Sequence, residues 1–376
     1  MASFDSSFQS TSDIDESTRD RFRGCLVGGA VGDALGYTVE FIGEHEIISR
    51  YGSGGITSYE LDSASGKALV SDDTQMSLFT AAGLIVGRTQ EVTNGAAENP
   101  RRYVADAYQD WLVTQETSFD NAKARRESGS WDPTSWLVDV PELFDRRAPG
   151  NTCLSALRRH RSAGDNIDDY IAFAPQLNNS KGCGGVMRAA PVGLAWTGGN
   201  IDSIDVESAQ IAAITHGHSL GYMPAAVLSH IVGKLAIAGA GLEQTVLEAR
   251  DTTARLFVDD AHIGELTHII ERAIELSRND DSDLNNIHRL GEGWVGEEAL
   301  AVGIYCALRH QDDFSAAVVA AVNHSGDSDS TGAVCGNILG ALLGYGAIGE
   351  QWTRDLELLD VTLGLADDLY RGYQVP

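Results

Sequence analysis

Apolar residues recur along this chain mostly at three- and four-residue steps, the period of a helix with one buried face. The pattern predicts helices over residues 74–86, 206–214, 224–238, 243–258, 262–277, 297–310 and 333–345. Only around residues 55–59 does the pattern resemble a strand. Small residues have their own rhythm: Gly24, Gly28, Gly32 and Gly36 step by four, and Gly336, Gly340 and Gly344 repeat the step. On a helix such spacing lays side-chain-free positions along one face, which lets another backbone approach closely. The expectation is an all-α, compact, single-domain helical bundle over residues 17–376, with long functional loops, the longest near 114–152. Residues 1–16 read as a flexible acidic arm, because Ser and Asp alternate with only Phe4, Phe8 and Ile14 to bury. Order is expected from Ser17, which with Asp20 imitates a capping box.

Charge narrows the function classes. Among 376 residues, 27 Lys and Arg stand against 54 Asp and Glu, a formal net charge of −27. Nucleic-acid backbones and anionic membranes both require the opposite balance. A hydrophobic fraction of 43% supports a sizeable core. Five cysteines occur singly, with no CxxC pair, which suits neither a disulfide framework nor a structural zinc site and points to a reducing cytoplasm. The first residues lack a basic and an apolar region, so no signal peptide is read there. The most apolar stretches are shorter than the roughly 20 residues a membrane span needs.

Two acidic clusters each stand directly before a small apolar helix: Ser71-Asp72-Asp73-Thr74 and Gly326-Asp327-Ser328-Asp329-Ser330-Thr331. Carboxylate and hydroxyl oxygens so concentrated are ligands for Mg²⁺ or Mn²⁺. Helix capping explains either cluster alone, since acids and Ser favour helix N-termini. Two clusters of like composition favour a shared metal site. The turn over residues 179–185 offers clustered backbone N–H groups and, if it opens a helix, a seat for a diphosphate. Asp33 reads as a support for a neighbouring loop, Arg188 as half of a structural ion pair, and Trp294 as core or as a ring for stacking.

The run from Arg23 to Gly36, closed by Glu40, resembles the opening helix of the ADP-ribosylglycohydrolase family. The two acidic clusters resemble its metal motifs. Between them, in family order, lie Arg147-Ala148-Pro149-Gly150, the run from Lys181 to Arg188, Thr215-His216 and Gly291-Glu292-Gly293-Trp294. The resemblance implies an all-helical bundle with a dinuclear metal site, two Mg²⁺ or Mn²⁺ ions, at the mouth of an ADP-ribose cleft. It implies ligands from Ser71, Asp72 and Asp73 on one side and Asp327, Asp329 and Ser330 on the other. Glu40, Asp73 and Asp327 would be catalytic, and Ser180, Gly182, Cys183 and His216 would bind substrate. The implied reaction is hydrolysis of the bond between ADP-ribose and a modified protein side chain, arginine first, reversing mono-ADP-ribosylation. The partners are then an ADP-ribosylated protein and the ADP-ribose product, on a monomer. Other readings are an O-linked (serine) ADP-ribose hydrolase, an immunity protein against an ADP-ribosylating toxin that uses the acidic arm, and an inactive ADP-ribose-binding relative.

Overall fold

The four-residue glycine steps meet each other. In the computed structural model, which describes residues 15–94, 99–163 and 177–372, the opening helix Glu16–Tyr37 lies antiparallel to the helix Ser328–Leu343. Gly24 faces Gly340, Gly28 faces Gly336, Gly32 faces Gly332, and Gly36 faces the Ser328 carbonyl. A Cβ at Gly24, Gly28, Gly32 or Gly36 would fall on a backbone atom of the facing helix, so no other residue fits without moving one of the pair. Asn337 fastens the same seam through its Nδ2, which donates to the Cys25 carbonyl at 2.8 Å. Both helices are buried over most of their length.

Among the described residues, seventeen α-helices and several 3₁₀ turns account for the ordered elements, with only two isolated bridges in place of any sheet. Ser219–Ala236 packs on the glycine pair and is buried at almost every position. Ile201–Ala213, Leu242–Leu256, Ile263–Ser277 and Gly296–Arg309 surround it, with Asp72–Asn94 and Pro100–Glu116 on another side. Among the described residues no helix is long and apolar enough to cross a membrane.

Four expectations are corrected. The opening helix starts at Glu16, and its cap is Asp15, which accepts from Ser17 N at 3.2 Å, so the arm boundary moves back by two residues. The rest of the arm, residues 1–14, lies outside the described residues. Residues 55–59 form no strand: Ile56 N donates to Asn323 Oδ1 at 2.7 Å and Asn323 Nδ2 donates to the Ile56 carbonyl at 2.9 Å, so one side chain satisfies what a neighbouring strand would. The long loop is partly helical, because Pro100–Glu116 runs past residue 114 and Phe119–Glu127 and two 3₁₀ turns follow. The helix expected from Pro224 begins instead at Ser219, where the ring of His218 accepts from Leu220 N at 3.1 Å.

Candidate active site

Both acidic clusters lie at helix N-termini that the glycine pair brings together. The first opens Asp72–Asn94. Its exposed donors are taken from outside: the Asp33 carboxylate, fully buried on the opening helix, accepts from Ser71 N at 3.0 Å, from Thr74 N at 3.0 Å and from the Thr74 hydroxyl. Ser71 Oγ accepts from Asp73 N at 3.1 Å. Asp33 therefore supports a neighbouring turn, as expected, and Asp72 and Asp73 need not cap their own helix. The second cluster opens Ser328–Leu343, where Asp327 is the cap residue and accepts weakly from Ser330 N at 3.4 Å.

Across the gap, Ser330 Oγ donates to Asp73 Oδ2 at 2.7 Å and Cys183 Sγ donates to Asp327 Oδ2 at 2.8 Å. One oxygen each from Glu40, Asp327 and Asp329 lies within 4.8 Å of the others. Glu40, Asp72, Asp73, Asp327 and Asp329 all line one cavity of about 470 Å³. None of the five is paired with Lys or Arg among the described residues. Burial, and then the charge of Asp329, pushes the carboxyls of Asp72, Asp73 and Asp327 well above the usual range. Glu40 is pushed up to about 10 by burial and then by Asp329 and Asp327, and its Oε2 is buried without a hydrogen-bond partner. Five crowded acids without cations cannot all stay ionised.

Of the residues singled out in the sequence, Glu40, Asp72, Asp73, Gly182, Cys183, His216, Asp327, Asp329 and Ser330 line this cavity. Ser71 and Ser180 stand behind its wall, with Ser180 Oγ 3.1 Å from Thr152 Oγ1. His216 is buried, its ring held down to about 3 by burial and then by the Arg188 charge, so it offers a neutral hydrogen-bonding edge. Arg188 makes no ion pair among the described residues, contrary to expectation. It lies over the Tyr108 ring at 4.6 Å and donates to Thr215 Oγ1 at 2.6 Å, which in turn sits 2.8 Å from His216 Nδ1.

The 179–185 turn opens only the three-residue 3₁₀ turn Cys183–Gly185, and Cys183 N is already spent on the Trp294 carbonyl at 3.3 Å. The longer helix facing the cavity is Asn151–Ala163, thirteen residues, whose start contributes Asn151, Thr152 and Cys153 to the lining. Its first-turn N–H groups have no intrahelical acceptor. Ala148, at φ 52°, turns the chain into it, and Gly150 N donates to Asp72 Oδ2 at 3.3 Å. Sequence reading passed over this helix start, although Pro149-Gly150-Asn151 is a recognisable entry signal. Trp294 is neither core nor solitary: it is 42% exposed at the rim and stacks on Phe41, with ring centroids 6.4 Å apart. A second cavity of about 540 Å³, lined mainly by apolar side chains such as Phe22, Leu84 and Trp196, contains no comparable group of acids.

Comparison with known proteins places the chain in a family. The family model described as ADP-ribosylglycohydrolase matches residues 14–376. The chain is 26% identical over 348 residues to ADP-ribosyl-[dinitrogen reductase] glycohydrolase of Rhodospirillum rubrum, covering 91% of this chain and 92% of that one. It is 24% identical over 384 residues to ADP-ribosylhydrolase ARH3 of Bos taurus, covering 94% and 93%. A solved structure titled ADP-ribosylglycohydrolase-related protein complex shares the fold, with a TM-score of 0.64 at 23% identity over 96% of this chain and 100% of that one. With its paired acidic helix starts, the glycine seam that joins them and a family match running almost from end to end, this chain belongs to the ADP-ribosylglycohydrolase family.

Proposed function

We propose that this protein hydrolyses the glycosidic bond between ADP-ribose and an arginine side chain of a modified protein, and that it does so with two Mg²⁺ or Mn²⁺ ions. The observation that carries the reading is the convergence of Glu40, Asp72, Asp73, Asp327 and Asp329 on one cavity with, among the described residues, no basic side chain paired to them. This all-oxygen donor set suits hard divalent cations. Asp72, Asp73, Asp327, Asp329 and Ser330 would hold them, and Ser71 would do so through the lone pair left after accepting from Asp73 N. When bound, the ions would neutralise the carboxylates and grip the ribose hydroxyls.

The chain's own groups divide the remaining work. Glycosidic cleavage at ribose passes through an oxocarbenium-like state and needs a group to move a proton. Asp73 Oδ2 is occupied by Ser330 and Asp327 Oδ2 by Cys183, whereas Glu40 Oε2 is free, so Glu40 is the acid/base of choice among the three. The start of Asn151–Ala163, with Gly182 and Cys183 opposite, would seat the diphosphate, and His216 would offer a neutral edge to the substrate.

One alternative has a specific basis. Similarity to the dinitrogen reductase glycohydrolase and to ADP-ribosylhydrolase ARH3 is nearly equal, at 26% and 24% identity, so an O-linked acceptor such as serine is the second reading. Purified protein is given arginine-linked and serine-linked ADP-ribosyl peptides with Mg²⁺, Mn²⁺ or EDTA. The expected result is metal-dependent release of ADP-ribose from the arginine peptide. Release from the serine peptide alone selects the second reading, and no release from either contradicts the enzyme.

A further inference from the structure

Two large aromatic side chains stand in the open at the cavity mouth. Phe41 is 69% exposed and Trp294 is 42% exposed, while Trp111 and Trp352 are buried. Both rim rings line the cavity that holds Glu40, Asp327 and Asp329. Their planes are inclined by 27°. Their positions relative to the acids are set by the chain. Phe41 follows Glu40 directly, and the Trp294 carbonyl accepts from Cys183 N at 3.3 Å, the residue whose thiol donates to Asp327. The next helix is tied down by Glu44 N, which donates to Ser325 Oγ at 3.0 Å, and by Glu44 itself, 2.6 Å from His288 Nε2.

We propose that Phe41 and Trp294 form an acceptor-recognition rim that takes a planar cation, the guanidinium of the modified arginine, on an aromatic face beside the Glu40 carboxyl. The inference rests on the arginine reading above and deepens it. A guanidinium carries N–H donors in its plane and a stackable face perpendicular to them. It can therefore donate to the partnerless Glu40 Oε2 while its face lies on a ring, an arrangement that an ammonium or a hydroxyl cannot reproduce. The rim thus selects by shape as well as by charge.

The test uses butylguanidine, a guanidinium, against butylamine, a point-charge cation of equal charge on the same alkyl chain. Each is titrated calorimetrically into the Mg²⁺-supplied protein, once alone and once with ADP-ribose bound. The titration without ADP-ribose reads the rim independently of any turnover, so failure of the proposed hydrolysis and failure of the rim give different results. The expected result is a preference for butylguanidine of at least about fivefold in the wild type, falling to about onefold in Trp294→Leu and Phe41→Leu. In both variants ADP-ribose affinity stays within about twofold, and KM for the arginine peptide rises more than kcat falls. Equal affinity for the two cations in the wild type overturns the proposal. So does a preference that survives both substitutions, or a loss of ADP-ribose affinity that leaves the preference unmoved, which would place the rings against adenine.

Discussion

The two acidic helix starts look alike in sequence and are built differently. At Asp72–Asn94 the capping work is delegated: Asp33, from another helix, takes Ser71 N and Thr74 N, and Ser71 takes Asp73 N. Asp72 and Asp73 are left to face the cavity. At Ser328–Leu343 the cluster serves itself, with Asp327 as the cap residue and Thr331 anchored to the Ala321 carbonyl at 2.7 Å and to His324 Nε2 at 2.9 Å. Capping and ligation are therefore not rival explanations of an acidic cluster. One cluster keeps its acids on the cavity by leaving the capping to another element, whereas in the other Asp327 both caps the helix and lines the cavity.

Substitutions at the delegated cap break this comparison most severely. Asp33→Ala orphans three buried donors at once, and a loss of about 3 kcal/mol in urea-monitored stability is expected, together with loss of ADP-ribose binding as the Asp72–Asp73 turn relaxes. Gly32→Ala comes next, because its Cβ meets the Gly332 backbone. A destabilisation of about 1–3 kcal/mol is expected in the same assay, and a melt indistinguishable from wild type would mean that the seam is looser than the structure has it. Ser330→Ala removes the hydrogen bond from Ser330 Oγ to Asp73 that joins the two clusters directly. Stability should fall by about 1 kcal/mol, and hydrolysis should drop by roughly tenfold as Asp73 loses its partner.

The smallest effect lies far from the cavity. Asp367 accepts from both Arg19 and Arg23. Burial alone would raise its carboxyl, but the hydrogen bonds from Arg23 and then Arg19 hold it well below the usual carboxylate range. A folded-state value below the unfolded one means that the contribution is full above about pH 4 and fades as pH falls beneath it. Asp367→Asn should therefore cost about 1 kcal/mol at pH 7, a modest figure for a partly exposed cluster, and progressively less in acid. Denaturation curves at pH 7, 4 and 3 check the sign, and a cost that grows towards pH 3 would refute it.

How much could be read from the sequence depended on whether a feature repeats locally. The glycine seam was legible because both of its halves carry the same four-residue step, and the absence of side chains has one main use on a helix. The cavity acids were legible because each cluster stands at a polar break before an apolar helix. Phe119–Glu127 was not, since only Ala122 is buried on it and its pattern has no apolar face. The 55–59 segment misled because extended backbone was paired to the Asn323 side chain, a partner more than 260 residues away. The Phe41–Trp294 rim was half legible: Trp294 offered a ring for stacking, but Phe41 gave no sign of an exposed position until the fold set the two side by side. Arg188 suggested a salt bridge by its charge, and only packing showed the Tyr108 face and Thr215 in its place.

The net charge of −27 finally turns into a demand on the site. Acids crowded around a cavity repel a diphosphate unless cations offset them. The most direct test is calorimetric titration of ADP-ribose into the protein with excess Mg²⁺ and again after EDTA stripping. If the two acidic helix starts form a cation-dependent ADP-ribose site, removing the metal should weaken binding by at least about 100-fold, from cations lost and repulsion gained. Equal affinity in the two titrations would contradict the account.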